Sequence, residues 1–156
     1  MAAALLGGVP GVSKVFCGSA VTYREATKLS WLQVPEETLQ RYTAESPETT
    51  RALATQVLRH TPEATLAAAV TGHLGPDAKQ ELDGLVHFGV LLRRPVDAAA
   101  DPDSPEVEAD VSYVAATVRL QKNQRGERQV ESAARLLQFV GSVLANQNGP
   151  INVCDD

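Results

Sequence analysis

Aromatic residues are scarce in this chain. Phe, Trp and Tyr make up 4% of its 156 residues, with a single Trp, so Ala, Val and Leu must fill the core. Cysteine is nearly absent as well. Cys17 and Cys154 have no metal or redox spacing and are too few for a disulfide framework, so a reducing cytoplasm is the expected location. Cys17 is expected to be a small apolar core residue. No stretch is apolar for long enough to span a bilayer, and no membrane partner is expected. Met1 to Val9 is apolar, but it is short, has no basic leader and runs straight into Pro10-Gly11-Val12-Ser13, unlike a secretory signal. Basic excess is missing too. The formal net charge of −5 leaves no cationic stripe for phosphate, which argues against nucleic acid as a partner. His60, His73 and His87 lack ligand spacing, so neither a metal nor another cofactor is expected.

What is present fits one domain. A chain of 156 residues with 44% hydrophobic content can bury a substantial core. Ala2 to Leu6 favours helix and is stopped by Gly7-Gly8. Val15 to Tyr23 reads as a strand, and Glu25 to Leu32 has helical spacing with Ala26, Leu29 and Leu32 inward. Val34 to Leu39 opens a short helix around Pro35. Ser46-Pro47-Glu48 is the clearest helix start: a capping hydroxyl, proline in the first turn, then acid against the helix dipole. That helix ends near His60-Thr61-Pro62. Ala64 to Val70 is a run of small apolar residues that suits a strand covered on both faces, as in a parallel α/β sheet. It leads into the glycine-rich stretch from Thr71 to Asp77, where open α/β sheets place ligands. Leu85–Leu92 and Val111–Leu120 read as an antiparallel pair. Val130, Ala133, Ala134, Leu137, Val140 and Leu144 mark a long C-terminal helix packed on the sheet. The expected organisation is one domain over 1–146, an acidic, proline-rich flexible loop at 95–107 within it, and a tail at 147–156.

The segment from Pro10 to Lys28 carries the chemistry. It sets Ser13 after a Pro-Gly turn, Tyr23 at the end of the expected strand, and Lys28 one helical turn beyond. A serine hydroxyl becomes a nucleophile only when a base takes its proton, and lysine can do so only as the neutral amine, a form that burial or a nearby positive charge favours. A phenol beside them could relay the proton or hold the amine, and leaving ammonia needs a proton returned. Amides near Ser13 or in the Thr71-Gly72 turn are candidate oxyanion donors. Taken singly, each residue has a plainer reading: Lys28 as a solvated helix lysine, Ser13 as a turn residue, Tyr23 as half-buried packing.

Together they sit in a familiar order. Pro10-Gly11-Val12-Ser13, Val21-Thr22-Tyr23 with Lys28 beyond, Val34-Pro35-Glu36-Glu37-Thr38-Leu39, Ala44-Glu45-Ser46-Pro47-Glu48 and Val70-Thr71-Gly72-His73-Leu74-Gly75-Pro76 resemble the C-terminal domain of the competence/damage-inducible CinA proteins. That domain is also found alone as nicotinamide-nucleotide amidase. The resemblance runs from about Leu6 to Pro76 and is thin afterwards. It implies an α/β three-layer sandwich with a mixed sheet between helices. It also implies hydrolysis of nicotinamide mononucleotide to nicotinate mononucleotide and ammonia. The implied catalytic set is Ser13 as nucleophile, Lys28 as base and Tyr23 assisting. Thr71, Gly72, Gly75 and a late arginine, Arg125 or Arg128, are the implied substrate-binding set. A short-chain dehydrogenase reading is rejected, because its Tyr-Lys separation is one residue shorter and no Gly-x-Gly-x-x-Gly turn follows a first strand.

Three departures from the family pattern temper this expectation. The family opens the domain with a strand and a Glu-Ser-Cys-Thr-Gly-Gly turn, and Met1 falls just after that turn. The glycine-rich loop beyond Pro76 is replaced by Asp77 to Leu85, and the segment before the last helix is Lys122 to Arg128. The alternative expectation is therefore a catalytically impaired binding or interaction module, or a natural protein that begins upstream of Met1. A sheet short of one strand also leaves an edge, so a homo-oligomer is expected.

Overall fold

The computed structural model of the chain describes residues 1–93 and 111–146. The loop expected at 95–107 and the tail at 147–156 lie outside the described residues. Among the described residues, five α-helices, a short 3-10 helix and three strands follow one another in the order α1 (Ala2–Gly7), 3-10 helix (Val12–Lys14), α2 (Glu25–Leu32), α3 (Glu36–Tyr42), α4 (Pro47–His60), β1 (Leu66–Gly72), β2 (Leu85–Arg93), β3 (Val111–Arg119) and α5 (Arg125–Asn146).

Local chemistry explains the best-defined element. The Ser46 hydroxyl accepts a 3.0 Å hydrogen bond from the Thr49 amide, which satisfies a donor the first turn of α4 cannot use. Pro47 needs no amide partner there. Leu53, Ala54 and Leu58 form the buried stripe of the helix, spaced to lie on one face.

The sheet has the order β1-β2-β3. Ala68 pairs with Val90 across the first interface, and Val90 pairs with Val114 across the second. Side chains alternate between two covered faces. Ala67, Ala69 and Leu91 meet Ala54, Val57 and Leu58 of α4. Val86 and Phe88 meet Leu136, Phe139 and Val140 of α5, and Val90 meets Val143 farther along. Leu29 and Leu32 of α2 and Leu39 of α3 complete the α4 layer, while Ala2 of α1 joins the α5 layer. Central β2 is covered on both sides, with Val86 and Val90 at 1% and 0% exposure, each contributing roughly 1.5–3 kcal/mol by leaving water. The helix–sheet–helix layering and the α/β class stand as read from the sequence. No helix among the described residues is long and apolar enough to cross a membrane.

Several expectations are corrected. The described strands are all antiparallel rather than mixed. Residues 73–84 contain no helix, and without a crossover the chain can only turn back beside the strand it has left. Val15 to Tyr23 forms no strand, since the residues between Lys14 and Glu25 hold neither helix nor strand. Valines there fit a pleated surface, but a strand requires a neighbouring edge to pair with. Cys17 is exposed, because the segment that carries it is not packed into the core. On α5 the buried residues are Arg128, Ser132, Ala133, Leu136 and Val143, whereas Val130 and Leu144 face outward. In α2, Ala26 is exposed while Leu32 and Lys28 are buried, and Trp31 projects outward, 63% exposed.

Candidate active site

The chain leaving β1 is fixed by close packing. A Cβ on Gly72 would lie 2.5 Å from the Val86 side chain and 2.6 Å from the Leu85 carbonyl oxygen, so only glycine fits between the strands. The loop is then closed by two backbone bonds, His73 N–H to Leu85 O at 2.9 Å and Gly84 N–H to His73 O at 2.8 Å. Gly75 has φ +67°, in the left-handed region that glycine adopts most readily. Its absent side chain leaves room for Asp83 and Arg128, whose atoms would lie within 2.9 Å of a Cβ.

Asp83 and Arg128 form a bidentate pair, with contacts of 2.6 and 2.7 Å. Arg128 Nε also donates to the Lys122 carbonyl at 2.7 Å. The hydrogen-bonded guanidinium holds the Asp83 carboxyl below its ordinary range, and the same hydrogen bonds raise Arg128. Arg119 supports the loop from β3, donating to the Glu81 and Asp83 carbonyls. Arg128 is thus a strut between loop and helix. Arg125 is the arginine that reaches the candidate site. Its Nη1 donates to Gly75 O at 2.6 Å and its Nη2 to Tyr23 Oη at 3.0 Å.

Three of the expected site residues therefore meet at one end of the sheet: Tyr23, Gly75 and Arg125. Lys28 follows Tyr23 by little more than one helical turn and is 6% exposed. Among the described residues no carboxylate forms a salt bridge with its amine. Thr71 is committed inward. Its hydroxyl lies 2.7 Å from Thr50 Oγ1, and Thr50 donates to Ser46 O at 2.8 Å, which ties β1 to the first turn of α4.

Ser13 stands apart. It is exposed on the 3-10 helix, and no hydrogen bond among the described residues joins it to Lys28 or Tyr23. The 3-10 helix packs on α1 and α1 on α5, whereas α2, with Lys28, packs on α4 across the sheet. The expected nucleophile and base are carried by opposite layers.

Sequence reasoning missed two further groups. Asp83 lies in a stretch whose composition carries no site signal. His87 faces the α4 side of the sheet opposite Thr71, with Nδ1 2.9 Å from Thr117 Oγ1. Strand periodicity could have placed it on that face. Burial pushes its pKa down, His73 adds to the effect, and Glu48 opposes it. A separate open depression of about 280 Å³, lined by residues including Thr38, Tyr42, Arg51 and Arg59, lies between α3 and α4 and contains none of the expected catalytic residues.

Comparison with known proteins gives a consistent result. A family model described as the CinA C-terminal domain matches residues 1–118. A CinA-like protein of Myxococcus xanthus is 46% identical over 71 residues, which is 46% of this chain and 17% of that protein. A putative competence-damage inducible protein of Caldicellulosiruptor saccharolyticus is 38% identical over 92 residues, 58% of this chain and 22% of that protein. The matches thus span about a fifth of the length of these relatives. Among solved structures, the competence/damage inducible protein CihA of Agrobacterium tumefaciens superposes with a TM-score of 0.73 at 26% identity, covering 90% of this chain and 76% of that one. The competence damage-inducible protein A of Klebsiella pneumoniae gives a TM-score of 0.76 at 20% identity, covering 92% and 79%, a likeness of fold.

Proposed function

The chain belongs to the CinA C-terminal domain family, and from that premise we propose that it is an amidase acting on a pyridine nucleotide in the cytoplasm. Nicotinamide mononucleotide is the proposed substrate. The reading is supported by the Tyr23–Arg125–Gly75 cluster, with Lys28 little more than one helical turn beyond Tyr23 in α2.

In the proposed reaction the Lys28 amine takes the Ser13 proton as Oγ attacks the carboxamide carbon, and the carbonyl electrons move onto the oxygen. Collapse of this intermediate breaks the C–N bond, and Lys28 returns the proton so that ammonia leaves. Water then attacks the acyl-serine, giving its proton to Lys28 and releasing the carboxylate product with the serine hydroxyl restored. Tyr23 holds or relays the proton. Arg125 spends donors on Gly75 and Tyr23 and keeps N–H groups for the nucleotide phosphate. Thr71, Gly72 and Gly75 shape the floor of the site. No cofactor enters these steps.

The exposed position of Ser13, away from Lys28, favours a second reading, a binding module without turnover. Ammonia release from nicotinamide mononucleotide separates the two. The amidase reading expects turnover by the chain and its loss in Lys28→Ala and Ser13→Ala. A folded chain that releases no ammonia leaves the binding module.

A further inference from the structure

We infer that Asp83 is a positioning residue for the ligand's phosphate, holding Arg125 in place through Arg128; this rests on the role given to Arg125 in the amidase reading above. Both carboxylate oxygens of Asp83 accept the fork of the Arg128 guanidinium, at 2.6 and 2.7 Å, a geometry that fixes direction as well as distance. Arg128 Nε donates to Lys122 O at 2.7 Å, and the Arg128 amide donates to Gln124 O at 2.9 Å. Arg128 is 7% exposed and each nitrogen of its guanidinium is already occupied. It ties the first turn of α5 to the loop rather than facing a ligand.

Arg125 stands three residues earlier, at the first position of the same helix. It is exposed, and an exposed arginine loses much side-chain entropy when held in one direction. Gly75 O at 2.6 Å and Tyr23 Oη at 3.0 Å hold it. Gly75 is the link back to the ion pair. A Cβ on it would lie 2.8 Å from Asp83 Oδ1 and 2.9 Å from Arg128 Nη1. The pair therefore packs directly against the residue whose carbonyl receives Arg125. Asp83 fixes both ends of that contact, the helix start through Arg128 and the acceptor through its own packing. An arginine oriented beforehand loses less freedom when an anion arrives. Charge alone makes the opposite prediction, since removing a carboxylate from this loop would attract an anion more strongly.

The sign of the effect is the test. Titration calorimetry with nicotinate mononucleotide, the product of the proposed reaction, reads the phosphate contact without turnover. Asp83→Asn, isosteric and uncharged, is expected to weaken binding roughly tenfold, a size typical of coupling within one side-chain network. Arg128→Lys keeps the charge but loses the fork, and it should shift binding in the same direction. In an Arg125→Ala background neither substitution should weaken binding further, a result that a general loss of stability would not reproduce. Binding unchanged or tightened in Asp83→Asn, or weakened equally with and without Arg125, overturns the inference. If Asp83→Asn does not fold, Arg128→Lys carries the same comparison. Nitrogen NMR of the Arg125 guanidinium supplies a readout that needs no ligand: its Nη signals should be motionally restricted in the wild type and freed in the variants. If nicotinate mononucleotide does not bind the wild type, the pyridine-nucleotide reading fails on its own. The NMR comparison then decides the positioning: an Arg125 freed by the substitutions supports it, and one equally held or equally free in both overturns it.

Discussion

Gly72 shows at the scale of one residue how packing constrains the site. It was read from sequence as a ligand-contact position, yet its immediate constraint is steric, since a Cβ would overlap Val86 and the Leu85 carbonyl. Gly72→Ala is expected to destabilise the chain by about 1–3 kcal/mol, read as a lower denaturant midpoint at unchanged slope. His87 offers a titration. Burial depresses its folded pKa below the ordinary 6.5, so the uncharged ring favours the folded state. Its contribution to stability is complete above the unfolded value and declines as pH falls from there through the lower folded value. Proton NMR should find the His87 midpoint below 6.5, and His87→Gln should remove that part of the acid sensitivity. Tyr23 was singled out by the family resemblance rather than by its own position, which suggested half-buried packing, and the structure leaves it exposed with its hydroxyl bonded to Arg125. Asp83 was not singled out, because its importance comes wholly from the guanidinium that folding sets against it.

At the scale of elements, the caps could be read and the faces only in part. Ser46-Pro47 announced α4 correctly, because a side chain bonding to the next turn is a local event. Ser46→Ala should cost about 1 kcal/mol, seen as a lower thermal midpoint. On α5 the hydrophobic count misphased the helix, since polar Arg128 and Ser132 sit on the buried face and Val130 and Leu144 are turned away. The extended segment before α2 was misread for the opposite reason: its side chains suit a strand, but pairing depends on a partner remote in sequence. The Asp83–Arg128 pair links loop to helix and gives a pH prediction. With the Asp83 pKa lowered, the contribution of the pair is full above the ordinary carboxylate value near 4 and is lost as pH falls through the depressed value. The stability difference between wild type and Asp83→Asn should therefore be constant near neutrality and shrink on acidification below about pH 4.

For the whole molecule, three layers were what the family resemblance implied, and they agree with the requirement that each apolar face be covered. Strand direction did not follow, since it depends on whether a connection crosses the sheet or turns back. Association is the property that belongs to this scale. β1 and β3 are both edges of the described sheet, and Val70 on β1 is 39% exposed. A self-associating species is expected in sedimentation, because an unpaired strand edge offers backbone groups to a second chain.

The outward position of Trp31 has an optical consequence. The only indole of the chain is largely in water before unfolding begins, so the emission of an isolated copy should be red-shifted and should move little in denaturant. A blue-shifted native spectrum would instead place α2 beneath another chain, which makes one fluorophore a reporter of association rather than of folding.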